Sequence, residues 1–319
     1  ATRLSRSLRV PKSRRRVSEV MLDNIRFVKH SLPINFRGNT MVKSTICGLA
    51  LAGGIIGALA GATATFAQDA CASGKTITNG VLTIATGNPA YYPWVMDDAP
   101  ESGQGFEAAV AYAVADRMGF EKDAVTWVRT TFDQAIQPGV KDFDFNIQQF
   151  SITADREKIV DFSAPYYSAA MAILVRQTAI DNGAMAEYGS LKTLKWGGVA
   201  GHTSVPMIMQ SIKPSSDMLL YDDNANVVEA MKSNQIDAAL FDLPTALYLS
   251  AVVLDDGAVL GQFPASNDDN PDQFGLLMQD GSALKACVDA AVNSLSTDGT
   301  LAAIEAEWMQ EATGVPIVK

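Results

Sequence analysis

The sequence predicts an α/β fold made of two units of the same kind. Short apolar strand patterns alternate with helical patterns along the first unit, at Val81–Thr86, Ala108–Met118, Val125–Val128 and Phe143–Ile147. The same alternation begins again at Trp196–Ala200. An order of strand, helix and strand favours mostly parallel sheets with helices on their faces. The composition agrees, because 48% of the 319 residues are apolar, which is enough for one or two ordinary cores.

The front of the chain differs from the rest. Residues 1–40 carry ten Lys or Arg against two acids and have no sustained apolar period, and no apolar core follows Arg16 closely enough for a twin-arginine signal. From Met41 a basic start, an apolar run over 46–62 and small residues before Gln68 predict a signal peptide at 41–67. An anchoring helix is the alternative, which the short Gly- and Ala-rich run disfavours. We therefore expect Met41 to be the true start, residues 1–40 to be upstream sequence, and no direct membrane or lipid anchor.

The chain beyond residue 67 is strongly acidic. It holds 14 Lys or Arg against 33 Asp or Glu, a formal charge of −19. Such a surface repels nucleic acid and anionic lipid. Two histidines in the whole chain and no Cys-x-x-Cys or His-Glu-x-x-His motif give metals little to bind, so no cofactor is expected.

Two cysteines, Cys71 and Cys287, remain after the predicted cleavage. An exported chain can join two cysteines in one disulfide, and the alternative is two unrelated thiols. Because the chain is predicted to be exported, we predict the Cys71–Cys287 disulfide.

A polar turn follows the strand that ends at Ile147. Ser151 lies on the turn that leaves the strand, and Arg156 falls in the first turn of the next segment. Ligands of open α/β sheets collect beyond the carboxyl ends of the strands, and the planar fork of an Arg can hold a carboxylate by two parallel hydrogen bonds. The plainer interpretation is that Arg156 is a solvated charge among Asp155, Glu157 and Lys158.

The string Ser151–Tyr167, SITADREKIVDFSAPYY, resembles the T-x-T-x-x-R-x-x-x-V-D-F-S-x-P-Y-Y core of the family 3 extracellular solute-binding proteins, the receptors of polar amino-acid ABC importers. The resemblance extends over about residues 76–315. It implies the type II periplasmic-binding-protein fold, with two α/β lobes and two hinge crossings near 166–168 and 270–274. Lobe 1 would comprise 76–168 and 272–319, and lobe 2 would comprise 169–271.

The resemblance also implies a ligand site. Tyr91 and Phe132 take the places of an aromatic clamp, Arg156 that of the carboxylate-binding Arg, and Asp242, in IDAALFD, that of the acid that binds the α-ammonium. Two residues depart from the pattern: Thr203 replaces the second glycine of V-x-x-G-T-G-S, and Gln149 replaces a usual glycine. Asp242 can also act as the N-cap of a helix that has Pro244 in its first turn. The ligand-binding residues predicted in this way are Tyr91, Phe132, Gln149, Ser151, Arg156, Thr203 and Asp242.

The resemblance implies a periplasmic protein that captures an amino acid and delivers it to an inner-membrane ABC permease and its ATPase, not an enzyme. One alternative is a periplasmic dehydratase acting on prephenate or arogenate, for which His202 is the candidate acid or base. Another is the sensor module of a receptor, which the lack of an apolar span after Trp308 disfavours. In the family that this chain resembles, members that bind basic amino acids usually have an acid in the first loop, where Gly87 and Asn88 stand here. Because the amides of Gln148 and Gln149 also both donate and accept, the resemblance favours a neutral polar amino acid.

Overall fold

The computed structural model describes residues 71–263, 272–309 and 315–319. The predicted upstream segment and signal peptide, residues 1–67, lie outside these ranges. Two five-stranded sheets, each covered by helices, organise the described chain. We call the unit around the first sheet lobe 1 and the unit around the second sheet lobe 2.

The sheet of lobe 1 has the strand order β2-β1-β3-β12-β4. Strand β1 is fully buried, as its apolar sequence LTIAT predicts. It pairs in parallel with β2 and β3, whereas β12 is antiparallel to β3 and β4. The strands are β1 (Leu82–Thr86), β2 (Val125–Arg129), β3 (Phe145–Asn146), β4 (Val160–Phe162) and β12 (Leu277–Gln279).

The sheet of lobe 2 has the order β10-β6-β9-β7-β8. Strands β7, β8 and β9 are parallel, and β6 runs antiparallel to both β9 and β10. In each sheet four strands therefore run in one direction and a single strand, β12 or β6, runs against them, so the predicted α/β fold with mostly parallel sheets is confirmed. The strands are β6 (Met171–Arg176), β7 (Trp196–Val199), β8 (Leu219–Tyr221), β9 (Ala238–Asp242) and β10 (Gly257–Gln262).

Nine α-helices flank the sheets within the described ranges. In lobe 1 the long helix that opens at Phe106 packs against the two C-terminal helices and buries one face, including Val110, on the sheet. The helices are α1 (Phe106–Arg117), α2 (Phe132–Ile136), α3 (Gln177–Asp181), α4 (Tyr188–Leu191), α5 (Ser204–Met207), α6 (Asn224–Lys232), α7 (Leu243–Tyr248), α8 (Lys285–Thr297) and α9 (Thr300–Trp308).

The chain passes between the lobes along two short paired strands. Strand β5 (Tyr167–Ser168) leads into lobe 2, and β11 (Gln273–Phe274), antiparallel to it, leads back. A third contact comes from the C-terminus: Val318 donates to the carbonyl of Gln262 in β10, at 2.9 Å, and is buried in the core of lobe 2. The predicted lobe bounds stay a prediction, but residues 315–319, which that prediction assigns to lobe 1, contact lobe 2 instead.

The structure contains the predicted disulfide between Cys71 and Cys287, whose Cα atoms lie 5.8 Å apart. It ties the first described residue to α8, and Cys287 is buried in the core of lobe 1. Because the bond closes a loop of 216 residues along the chain, it links the front of lobe 1 to its last helices.

Candidate ligand-binding site

A cleft lies between the lobes, where β1, β3 and β9 end and where the crossing strands meet. Its enclosed cavity has a volume of about 80 Å³, inside a wider opening that is continuous with solvent. All seven residues that the sequence predicts as ligand-binding line it: Tyr91, Phe132, Gln149, Ser151, Arg156, Thr203 and Asp242. Whether each one contacts a ligand stays a prediction.

Arg156 enters the cleft from a single helical turn after β3. Its guanidinium donates to the carbonyl of Ser151 at 2.7 Å and to the carbonyl of Gly201, in lobe 2, at 2.8 Å. It also lies 5.3 Å from the ring centre of Phe132, a cation–π arrangement. Burial lowers its pKa to about 10, so the side chain stays charged at neutral pH. The solvated-charge interpretation is excluded, since only 8% of the residue is exposed.

Two hydroxyl groups from opposite lobes meet next to Arg156. The Oγ of Ser151 lies 3.2 Å from the Oγ1 of Thr203, which precedes helix α5. The carboxylate of Asp272 is a third partner in this group, because the Ser151 hydroxyl hydrogen-bonds to it. A hydroxyl pair beside a guanidinium suits the oxygens of a carboxylate, each of which accepts more than one hydrogen bond.

Asp242 stands at the end of β9 and begins α7. Its Oδ1 accepts the backbone N–H of Thr245 at 2.8 Å, so the N-cap interaction that the sequence predicts is present. Burial raises the pKa of this carboxyl to about 6, while the hydrogen bonds from Thr245 lower it and the charge of Asp272 raises it further. A cation in the cleft would offset that cost, because it favours the ionised carboxylate.

Aromatic rings form much of one wall. Phe132 is buried and packs against Phe150 and His202, with ring centres 4.5 and 3.9 Å away. Tyr91 lies at another part of the cleft, where burial and the charge of Asp223 raise its pKa to about 12. Tyr91 and Phe132, which are predicted to form an aromatic clamp, therefore both line the cleft. That their rings enclose a ligand stays a prediction.

His202 packs against Phe132 and is partly exposed. Its Nε2 atom is buried without a hydrogen-bond partner among the described residues. Burial, with the charge of Arg156 second, lowers its pKa to about 3, so the imidazole is neutral at physiological pH. A general acid or base works best with a pKa near the working pH, and His202 is far from it.

Gln149 connects the cleft to a buried carboxylate, Glu107, at the start of α1. Its backbone N–H donates to Glu107 Oε1 at 2.8 Å, and its side-chain amide donates to Oε2. The hydroxyl of Tyr166 donates to Oε1 as well. Glu107 is fully buried, and this burial raises its pKa to about 7 against the opposing effect of these hydrogen bonds.

The sequence-based site omits Asp272, Asp223 and Glu107. Asp272 ends an acidic stretch, Asp268–Asp272, which reads as a solvated connector. Asp223 resembles an ordinary helix cap, a role that it also has, since it accepts the N–H of Asn226 at 2.7 Å. Glu107 could have been found from its place in the sequence, because an acid two residues after Gly105 stands where a helix begins.

Contacts across the cleft hold the lobes close together in this structure. Besides the bond from Arg156 to Gly201, the indole N–H of Trp94 donates to Thr245 Oγ1 at 2.8 Å. The rings of Tyr92 and Tyr248 lie 5.3 Å apart between the same two lobes. The structure thus has the closed arrangement of lobes.

Two α/β lobes joined by crossing strands around a cleft define the type II periplasmic binding proteins. The sequence profile of the bacterial extracellular solute-binding proteins, family 3, matches residues 82–311, and the chain belongs to this family. The family assignment that the sequence predicts is confirmed.

Known relatives are similar over most of the same region. The L-cystine-binding protein TcyJ of Escherichia coli K12 is 28% identical over 206 residues, which cover 64% of this chain and 73% of that protein. A solved ancestral arginine-binding protein bound to arginine superposes with a TM-score of 0.59 at 26% identity, covering 73% of this chain and 99% of that one. The ancestral amino acid-binding protein AncCDT-1, a precursor of cyclohexadienyl dehydratase, gives a TM-score of 0.57 at 26% identity, covering 72% and 96%.

A helix that spans a membrane is long and apolar. None of the helices within 71–263, 272–309 and 315–319 has both the required length and the required apolar character.

Proposed function

We propose that this protein captures a free α-amino acid in the interlobe cleft and delivers it to the permease and ATPase of an ABC importer, outside the cytoplasm. One observation carries the proposal: Arg156 and Asp242, of opposite charge, face the same cleft from different lobes, and neither forms an ion pair within the described part of the chain. A buried charge without a partner costs several kcal/mol. A zwitterion supplies both partners at once.

The arrangement assigns a role to each group. The α-carboxylate binds Arg156 and the hydroxyl groups of Ser151 and Thr203, and the α-ammonium binds Asp242. Tyr91 and Phe132 enclose the ligand, and Gln149, held by Glu107, shapes the cleft floor. The names of the relatives support an amino acid as ligand, since they include binding proteins for cystine and arginine.

A dehydratase on the same fold is the competing function, which the likeness to AncCDT-1 keeps in view. Its candidate acid or base, His202, is neutral and has a pKa of about 3. Dehydration of a ring substrate needs a proton donor near the leaving hydroxyl, and a neutral imidazole with so low a pKa is a poor one. Binding is therefore the better supported function.

The test is a thermal-shift screen of the mature protein against the twenty amino acids, with prephenate and arogenate included. A ligand that binds only the folded state raises the melting temperature. We expect at least one amino acid to raise the melting temperature. We also expect that the protein converts neither prephenate nor arogenate. Turnover of prephenate or arogenate, or a screen in which no amino acid binds, would contradict the proposal.

A variant tests the charge recognition. Arg156→Lys should weaken amino-acid binding by about 1.5–3 kcal/mol, because one point charge replaces a two-bond fork. Calorimetry measures the change, and Lys158→Ala is the matched control, since its side chain is 71% exposed on the same turn. Unchanged affinity in Arg156→Lys would remove Arg156 from the site.

A further inference from the structure

The cleft contains more negative charge than a zwitterion needs. Of the described residues that line it, one is cationic, Arg156, and three are carboxylates, Asp223, Asp242 and Asp272. A zwitterionic ligand pairs with Arg156 and Asp242 and leaves two carboxylates without a countercharge. The charge balance therefore calls for a ligand with an additional positive group.

Asp272 is one of the two excess carboxylates. It lies where the chain returns from lobe 2, and its backbone carbonyl accepts the N–H of Ala169 at 3.3 Å, so the crossing strands fix its position. Burial raises the pKa of its carboxyl, against the opposing effects of the Ser151 hydroxyl and the charge of Arg156. It forms no ion pair within 4 Å in the described chain, and its negative charge also acts on Asp242. It thus adds negative potential close to the site of the α-ammonium.

Asp223 is the second excess carboxylate, and it lies at the part of the cleft that Tyr91 lines. One of its oxygens caps α6 by accepting from Asn226, which leaves the second oxygen outside that cap. Its charge is the largest electrostatic influence on the Tyr91 hydroxyl after burial itself. A carboxylate therefore lies at the part of the cleft away from the Arg156 group, where the side chain of a bound amino acid would extend.

One further group, apart from the carboxylates, also awaits a hydrogen-bond donor. The Oε1 of Gln148 is buried, lines the cleft and has no partner among the described residues. A buried acceptor without a donor costs about 1–3 kcal/mol. A guanidinium carries five N–H donors and an ammonium three, and neither accepts.

We propose that the ligand is an α-amino acid with a cationic side chain, such as arginine, lysine or ornithine. The proposal rests on the amino-acid-binding function and replaces the neutral polar preference that the sequence suggests. The α-groups pair with Arg156 and Asp242, Asp223 stabilises the side-chain cation, and Asp272 adds to the negative potential of the cleft. The acid that the sequence lacks in the loop at Gly87 and Asn88 is thus supplied by residues distant in the chain.

Matched ligand pairs test the proposal in the wild-type protein. Citrulline has nearly the shape of arginine without its charge, and norleucine is lysine without its ammonium group. Calorimetry at pH 7 and low salt should show arginine binding at least about tenfold more tightly than citrulline, and lysine more tightly than norleucine. Equal or tighter binding of the neutral partner in both pairs would overturn this inference while leaving amino-acid binding intact. If no amino acid bound at all, the proposed function itself would fail.

Variants of the two carboxylates test whether they cause the preference for a cationic ligand. Asn keeps the N-cap of α6 at position 223 and the hydrogen bond with Ser151 at position 272, so the double variant Asp223→Asn/Asp272→Asn removes charge with little change of shape. Its arginine-to-citrulline affinity ratio should fall to about 1 while citrulline still binds. Asp222→Asn, an exposed neighbour outside the cleft, should keep the wild-type ratio. Circular dichroism should confirm that the double variant folds. If it folds and its arginine-to-citrulline affinity ratio is unchanged, the assignment of Asp223 and Asp272 is overturned. If it does not fold, the two single variants and the ligand pairs in the wild-type protein decide.

Discussion

Gln149 adopts a backbone conformation that side chains rarely take, with φ at +50°. Only glycine enters this region without cost, which explains why the related pattern has a glycine here. The two hydrogen bonds from Gln149 to Glu107 offset the strain, and the buried Glu107 in turn needs those donors. Gln149 and Glu107 therefore stabilise each other: their hydrogen bonds offset the backbone strain at Gln149 and the burial of the Glu107 carboxylate.

This unit predicts a pH dependence of stability. The folded-state pKa of Glu107, about 7, lies above its ordinary value of 4.5, so the folded state binds the proton more tightly than the unfolded state does. Stability from this group is consequently greatest below about pH 4.5 and falls as pH rises to about 7, by at most about 1.4 kcal/mol per pH unit. Glu107→Gln should remove that fall, as urea unfolding across this range would measure.

Other groups titrate in the same range, so the control is a comparison. Tyr166 and Asp242 also interact with Glu107, and the pKa of Asp242 is raised to about 6. Wild type and Glu107→Gln both contain Asp242, so the difference between their curves reports Glu107 together with its interaction with Asp242. Parallel stability curves for the two proteins would contradict a titrating Glu107.

At the level of single residues, the sequence located the cleft but not all of its charge. Short motifs identify Arg156 and Asp242 because each has a fixed place after a strand that ends at the cleft. Asp272 lies after an acidic connector, and its burial depends on how two chain crossings pack together. Nothing local distinguishes it from a solvated acid, so the charge balance, and with it the ligand class, required the structure.

At the level of elements, the helices were predicted closely and the mostly parallel sheets are confirmed, except that each sheet contains one strand antiparallel to its neighbours. The observed α8 and α9, Lys285–Thr297 and Thr300–Trp308, nearly match the helical patterns at 284–295 and 301–308. Helical period is a local property, whereas strand direction depends on where the chain returns. Strand β12 re-enters lobe 1 after the passage through lobe 2, beside β3 and β4, and runs antiparallel to both.

The disulfide between Cys71 and Cys287 covalently joins two parts of lobe 1 that lie 216 residues apart in the sequence. Replacing both cysteines by serine should lower the free energy of unfolding by about 2–5 kcal/mol, because the bond restricts the unfolded chain. Thermal melts measure the loss, and the reduced wild-type protein, which should melt like the double variant, is the control. Two free thiols titrated in unfolded, unreduced protein from the exported fraction would show that the bond does not form.

At the level of the whole molecule, the described chain passes between the lobes along two paired strands and also places its last residues on lobe 2. Strands β5 and β11 are the paired crossings, and residues 315–319 attach the C-terminus to β10 of lobe 2 through Gln262. The candidate site is divided between the lobes, with Arg156 on one and Asp242 on the other. A ligand held by both can shift the lobes towards closure only by the free energy of contacts made in the closed form.

The hydrogen bond from Trp94 to Thr245 is such a contact and predicts how closure can be weakened. Thr245 is buried and lies outside the lining of the cleft, and its hydroxyl accepts from Trp94 across the lobes. Thr245→Val keeps the shape but leaves the indole N–H unpaired in the closed form, a cost of about 1–3 kcal/mol, and it also removes the hydroxyl hydrogen bond to Asp242. In small-angle scattering, ligand should reduce the radius of gyration of the wild-type protein, and Thr245→Val should need more ligand for the same change. Thr245→Ser, which retains the hydroxyl, should behave as wild type. A radius that ligand leaves unchanged in wild type, with binding verified in the same sample, would refute ligand-driven closure and favour a preformed site.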